Sequence, residues 1–347
     1  MARARRVATA APHPDPGCIW GPHGPGRRPG ACRALRGSLS HPTQGHAAAR
    51  VGANAPAWGR AGACPWQLAR HGRGECCRLH APRHRLCRSG RGTAPPMSRI
   101  DILMYHSISR AGGPTSIAPE IFRAQMEAIE ASGLPVIGLD ALAAARQGGP
   151  ALPERALILT FDDGFADFAA TAWPEIARRG WPVTVYLPTG FIGGVEGWRG
   201  IASPPRPLMG WDEIAALARE GVDFGGHSVS HPDLDALAPQ ALEAELAGCR
   251  DEIAARTGKP PAHFAPPYGS AGPAVRAAVA RHYATSCSTR LGQAGAQDDL
   301  HDLPRLEMFY FTDPARWRAH LAGRGGAYLA RRRVLRRIRG LVLKPWG

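Results

Sequence analysis

Two uninterrupted apolar runs, Ala156–Phe161 (ALILTF) and Val183–Leu187 (VTVYL), constrain this 347-residue chain more than any other feature. A strand with one wet face alternates apolar and polar residues. A run that is apolar at every position suits a strand covered on both faces, as in a parallel sheet flanked by helices. Further candidate strands lie at Ile100–Tyr105, Val136–Leu139, Val222–Gly225, His263–Pro266, Tyr283–Ser286 and Leu303–Met308. Helical stripes separate them. Phe122, Met126 and Ile129 fall at i, i+4, i+7 within residues 119–131, behind Pro119. Leu242, Leu246, Cys249 and Ile253 do the same within 239–256, with Gly258 as terminator. Another helix is expected after LILTFDDGF, ending at Gly180. Repeated βα units of this kind predict an α/β parallel sheet or barrel.

The formal charge of +15 suggests an acidic partner such as a nucleic acid or a membrane. Its distribution argues otherwise. Residues 1–96 hold 16 arginines, no lysine and only two acids, Asp15 and Glu75, whereas residues 97–347 hold 27 basic and 26 acidic residues. The globular part is near neutral, and no nucleic-acid partner is expected. The first 96 residues also carry six of the eight cysteines and show no helical or strand period, so they are expected to be disordered. An alternative is that they are spurious, translated from a start codon upstream of Met97. The run ECCRLHAPRHRLC (75–87) has no CxxC pair and no apolar scaffold, so a zinc knuckle is not expected. Without a signal-peptide pattern or a transmembrane span, the expected location is cytoplasmic. Cys249 and Cys287 are single and far apart, so no disulfide framework is expected.

The tail RRRVLRRIRGLVLKPWG (331–347) interleaves six arginines with Val334, Leu335, Ile338, Leu341 and Leu343. It reads as a basic amphipathic helix. Either it contacts a membrane surface, peripherally at the inner face, or its apolar side docks on the domain.

Chemistry-bearing residues cluster after the predicted strands. Asp162 and Asp163 follow ALILTF. If the strand ends at Phe161, both carboxylates reach one cavity at the C-terminal rim, with Gly164 relaxing the backbone. Helix capping accounts for one of them at most. His227 and His231, in GGHSVSHPDL, also follow a strand and are expected on one face of a helical turn, as two metal ligands require. Two histidines plus one carboxylate leave an open coordination position. A second carboxylate can then act as base, so the set predicts a metal-dependent hydrolase.

TFDDG, HSVSHPDL and FAPPYG, in that order, resemble the polysaccharide deacetylases, the NodB-like carbohydrate esterases of family 4. The start ILMYHSI resembles the branch that includes deacetylases of poly-N-acetylglucosamine. The resemblance covers about residues 100–310. It implies a distorted (β/α) barrel of seven strands in a single domain over residues 97–330, and removal of N-acetyl groups from N-acetylhexosamine units of a polysaccharide or oligosaccharide. It further implies a divalent metal, zinc by the family's habit, on Asp163, His227 and His231, with Asp162 as general base. The Tyr268 backbone N–H would stabilise the oxyanion. The family's usual base-orienting arginine is replaced by Ala265, and Arg305 either supplies that charge or makes an ordinary surface salt bridge. No LxH motif supplies the family's usual acid. His301 and His320 are poorly placed, and His106 is the preferred acid, its alternative being a strand cap through Ser107. Trp198, in the Gly- and Pro-rich loop Phe191–Gly210, either stacks on a sugar ring or anchors its own loop. Two other readings stay open: an amidohydrolase for a small non-sugar amide, and a catalytically dead carbohydrate-binding barrel.

Overall fold

The computed structural model describes residues 98–198 and 204–342. The expectations for residues 1–97, including the zinc knuckle and the initiator Met97, lie outside the described residues, as do residues 343–347 of the tail. All described residues belong to the unit Arg85–Gly347.

Seven parallel strands close into a barrel. They are β1 (Arg99–Tyr105), β2 (Arg155–Phe161), β3 (Val183–Leu187), β4 (Asp223–Gly226), β5 (His263–Phe264), β6 (Thr285–Leu291) and β7 (Leu303–Glu307). Each strand pairs with the next, and β7 closes on β1 through Leu103 opposite Leu306 and Met104 opposite Glu307. The helices are α1 (Pro119–Ser132), α2 (Leu139–Arg146), α3 (Trp173–Ala177), α4 (Trp211–Arg219), α5 (Pro239–Thr257), α6 (Pro273–Val279), α7 (Pro314–Ala319) and α8 (Gly326–Val342).

The continuous apolar runs have the cause expected of them. Successive side chains of a strand alternate faces. One set, with Ile100, Ile102, Ala156, Ile158, Tyr186, Cys287 and Leu303, fills the barrel. The other, with Leu103, Tyr105, Leu157, Leu159, Val183 and Val185, packs outward against Phe122, Met126, Ile129, Cys249 and Ile253 of the helices. The interior needs one glycine in particular: a Cβ on Gly225 would lie 2.6 Å from the Tyr186 ring.

One predicted strand is absent. Val136 makes only an isolated parallel bridge to Leu157, and Leu139 already opens α2. The segment pairs with β2 below the point where β3 begins its own pairing at Leu159, so it adds one rung and no strand. The helix after β2 is also less regular than its sequence, with a π-helical segment at Phe168–Ala172 ahead of α3. α5 runs as expected from Pro239 to Gly258, which caps it at φ 78°. Among the described residues no helix is long and apolar enough to cross a membrane.

Candidate active site

β2 ends at Phe161, and the two aspartates leave it differently. Asp162 keeps the strand's alternation and points inward with Ile158 and Thr160, its N–H donating to the Tyr105 carbonyl at 2.9 Å. Asp163 would point outward if the strand continued. Instead it adopts φ 74° and Gly164 follows at φ 66°, which turns its carboxylate back over the barrel mouth. Glycine suits position 164, where φ is positive and a Cβ would lie 2.7 Å from Leu187 Cδ2. Both carboxylates are buried, each 4% exposed.

Arg305 grips Asp162. Its Nη1 donates to Oδ1 at 2.6 Å and its Nη2 to Oδ2 at 2.8 Å, a bidentate pair. Nε donates to the Ser288 carbonyl at 3.0 Å and Nη1 also to the Thr160 hydroxyl at 3.3 Å, which fixes the guanidinium from β6 and β2. At 1% exposure Arg305 is no surface salt bridge. Burial pushes the Asp162 carboxyl up, but the charges of Arg305 and His106 outweigh it and hold the carboxyl below the usual carboxylate range. The charge that sequence comparison would place at Ala265, after β5, thus arrives from β7.

Asp163 faces the histidines. Its Oδ1 lies 3.3 Å from His227 Nε2 and 3.4 Å from His231 Nε2. The ligand atoms of the three residues all lie within 4.8 Å of one another. His227 Nδ1 sits 2.6 Å from the Ala265 carbonyl. A carbonyl only accepts, so Nδ1 carries the proton, and in the neutral ring Nε2 turns a lone pair toward the carboxylate. Two acceptors in contact need a proton or a metal ion between them. Zinc bonds of about 2.0–2.1 Å at tetrahedral angles place neighbouring ligand atoms about 3.3 Å apart. The donor set therefore fits a divalent ion in spacing and chemistry, with the Ala265 carbonyl as the outer partner that orients a ligand imidazole. Burial opposes a charge on His227, yet the Asp163 hydrogen bond raises its pKa overall; for His231 burial prevails and lowers it. Burial likewise pushes Asp163 up, but the two imidazoles, as donors when protonated at Nε2, bring it well below the usual value.

The expected helical turn for His227 and His231 is not there. His227 leaves β4 directly, and Ser228 and His231 take φ 66° and 53° in an irregular loop. The Glu245 carboxylate of α5 holds that loop, accepting from the N–H groups of Val229 and Ser230 at 2.7 and 2.9 Å and from the Ser230 hydroxyl at 2.6 Å. Sequence reasoning missed Glu245, which lies in a helix whose visible signal was its apolar stripe.

His106 follows β1, with Nε2 3.9 Å from Asp162 Oδ2 and its side chain 15% exposed. Ser107 instead donates to Asp167 at 2.5 Å. His301 and His320 are elsewhere, bonded to the Tyr283 carbonyl and to Asp101. Tyr268, at φ 59° in the short 3-10 turn after β5, sets its ring edge-on to His231 at 4.8 Å. Trp198 stacks flat on His231, with centroids 4.4 Å apart, and meets Phe191 edge-on at 5.2 Å. One face of its ring is therefore taken by a candidate ligand. Trp198→Ala should weaken metal binding about tenfold, read by competition with a chelator; an unchanged metal affinity with a raised KM would make the ring a sugar platform instead. A separate cavity of about 310 Å³, lined by Asp140, Asp223, Lys259 and His263, lies at the opposite end of the barrel and touches none of these residues.

The family model "Polysaccharide deacetylase" matches residues 149–286. The Bacillus subtilis protein YxkH is 24% identical over 150 residues, 43% of this chain and 50% of YxkH. The poly-β-1,6-N-acetyl-D-glucosamine N-deacetylase of Escherichia coli is 32% identical over 75 residues, 22% of this chain and 11% of that protein. The chain thus spans half or less of the length of these relatives. Among solved structures, the fold is shared with IcaB from Ammonifex degensii (TM-score 0.53, 19% identity, 66% of this chain and 98% of that one). It is shared also with the Streptococcus pyogenes deacetylase PplD (TM-score 0.52, 23% identity, 60% and 92%). Over residues 149–286 the chain matches the polysaccharide deacetylase family, and the ordered motifs, the closed seven-stranded barrel and the Asp-His-His cluster at its mouth agree with that match.

Proposed function

We propose that the protein is a metal-dependent deacetylase that hydrolyses N-acetyl groups on N-acetylhexosamine units of a polysaccharide or oligosaccharide. The observation that carries this reading is the unequal setting of two adjacent carboxylates, one clamped by Arg305 and the other facing the Nε2 atoms of two imidazoles.

A divalent ion on Asp163, His227 and His231, zinc by preference, supplies Lewis acidity and lowers the pKa of water. Asp162 takes the proton from the attacking water as its oxygen adds to the acetyl carbonyl carbon. Arg305 keeps Asp162 ionised and aimed for that step. The Tyr268 N–H donates to the carbonyl oxygen as it gains charge. Protonated His106 then gives its proton to the nitrogen as the C–N bond breaks, so that acetate and a free amino sugar leave.

The first polymer to test is poly-β-1,6-N-acetylglucosamine, the substrate named for the E. coli relative, beside chito-oligosaccharides. Acetate release from one of them, abolished by chelator and restored by zinc, is the expected result. Metal-loaded protein that releases acetate from no amino sugar would overturn it in favour of a small-amide amidohydrolase.

A further inference from the structure

The basic tail does not pack as an amphipathic helix ordinarily would. α8 runs from Gly326 to Val342, and it docks on the barrel through Tyr328, Leu329 and Arg332, while Arg331, Arg333 and Arg337 stay exposed. Leu329 is buried at 1% exposure, the Tyr328 hydroxyl donates to the Tyr310 carbonyl at 2.8 Å, and Arg332 Nε donates to the Tyr328 hydroxyl at 2.9 Å. The Arg332 guanidinium also lies 4.4 Å over the Tyr310 ring. Leu329, Arg332 and Arg336 share one helix face by their spacing. Val334, Leu335 and Ile338 share the other, and they are 54%, 45% and 52% exposed. The expectation that the apolar side docks on the domain is thus reversed, and an aliphatic stripe faces solvent.

We propose that α8 docks the protein on an anionic lipid surface through the Val334, Leu335 and Ile338 stripe, with the flanking arginines reaching the headgroups. Charge argues for it. Residues 324–347 hold eight basic residues and no acid, whereas residues 97–323 hold 19 basic and 26 acidic residues, so within residues 97–347 the positive charge is concentrated at this helix. An apolar stripe flanked by arginines is the pattern of a helix lying in the headgroup region, and each such basic residue adds about 1 kcal/mol on an anionic membrane. A symmetric dimer through the same stripe would set two arginine-rich helices against each other, which like-charge repulsion disfavours.

The placement also orients the site. Tyr310, on which α8 is pinned, belongs to the turn Met308–Phe311 that directly follows β7, at the end of the barrel where Asp162 and Asp163 sit. Glu307, at that strand end, lies within electrostatic reach of both Arg336 on α8 and His106 at the site. The other exposed large apolar residues among those described, Phe309 and Val195, lie in the turn after β7 and the loop after β3. Both follow C-terminal strand ends, on the catalytic side. A membrane-docked molecule therefore presents its barrel mouth near the bilayer.

The test is sedimentation of the full chain with phosphatidylcholine vesicles, with and without phosphatidylglycerol, and it does not depend on the deacetylase reading. The readout is a difference between variants, since residues 1–96 add their own positive charge. Binding to the anionic vesicles should fall about tenfold or more in Val334→Ser/Leu335→Ser/Ile338→Ser, which keeps every arginine. It should also fall in Arg333→Gln/Arg337→Gln and at high salt. Equal sedimentation of the parent and the triple variant overturns the proposal, as does absence of binding to anionic vesicles. Light scattering on the same samples identifies a second copy as the occupant if the triple variant converts a dimer to a monomer without any vesicle binding, which also overturns it. The three positions are solvent-exposed, and unchanged metal content of the variant verifies that the barrel is intact.

Discussion

His227→Ala should remove both bound metal and measurable acetate release. The ring supplies a lone pair to the cluster and is fixed by its Nδ1–H bond to the Ala265 carbonyl. Alanine deletes the ligand and leaves Asp163 buried with one imidazole. Lewis-acid stabilisation of the transition state contributes several kcal/mol, so its loss lowers the rate about a thousandfold or more. The barrel itself should survive, because His227 leaves β4 into an irregular loop tied down by Glu245 rather than by the histidine. Metal analysis and acetate release on the same preparation check this. Full metal occupancy in the variant would remove His227 from the ligand set.

Arg305→Met is expected to produce the second large effect, and a different one. Removing one partner of a buried ion pair leaves the other charge uncompensated and costs about 3–5 kcal/mol. Arg305 is buried and makes four hydrogen bonds to Asp162, Thr160 and Ser288, so the thermal midpoint should fall markedly at neutral pH. The sign with pH follows from Asp162. Its folded pKa is held below the usual 3.8, so the pair's contribution is fully present above the unfolded value and is lost as pH falls through the folded value. The stability gap between parent and variant should therefore narrow in acid. In the variant, burial acts on Asp162 without its main countercharge, and its pKa rises. Because the base must be ionised, the acid limb of kcat/KM should move to higher pH and activity should recover partly on the alkaline side. An unmoved acid limb would separate Arg305 from the base.

Much of this was legible in the chain before its structure. The adjacent aspartates, the strand that stops before them and the doubly apolar runs are local properties, and local patterns suffice for them. Ala265 and Arg305 are different. An arginine inside a predicted strand ordinarily reads as a surface charge. Only closure of the barrel, with β7 laid against β1 and β2 beyond it, turns Arg305 inward to Asp162. The same applies to His227 and His231. Their spacing of four suggested a helical turn, but φ values of 66° and 53° at Ser228 and His231 bring the rings together instead, and no propensity scale anticipates two non-glycine residues in the left-handed region. Val136–Leu139 failed for a further reason. A short apolar run fits a strand or a helix start equally well, and here three-dimensional pairing left it one bridge before α2 began.

The division of labour between Asp162 and Asp163 is tested most directly by Asp162→Asn, with metal content and acetate release measured on one sample. The amide keeps the shape of the carboxylate but cannot take the proton from water. The account predicts metal bound at the parent's stoichiometry and acetate release lost. Release at the parent's rate with metal bound would contradict it, as would loss of the metal together with the activity in a protein that is otherwise folded.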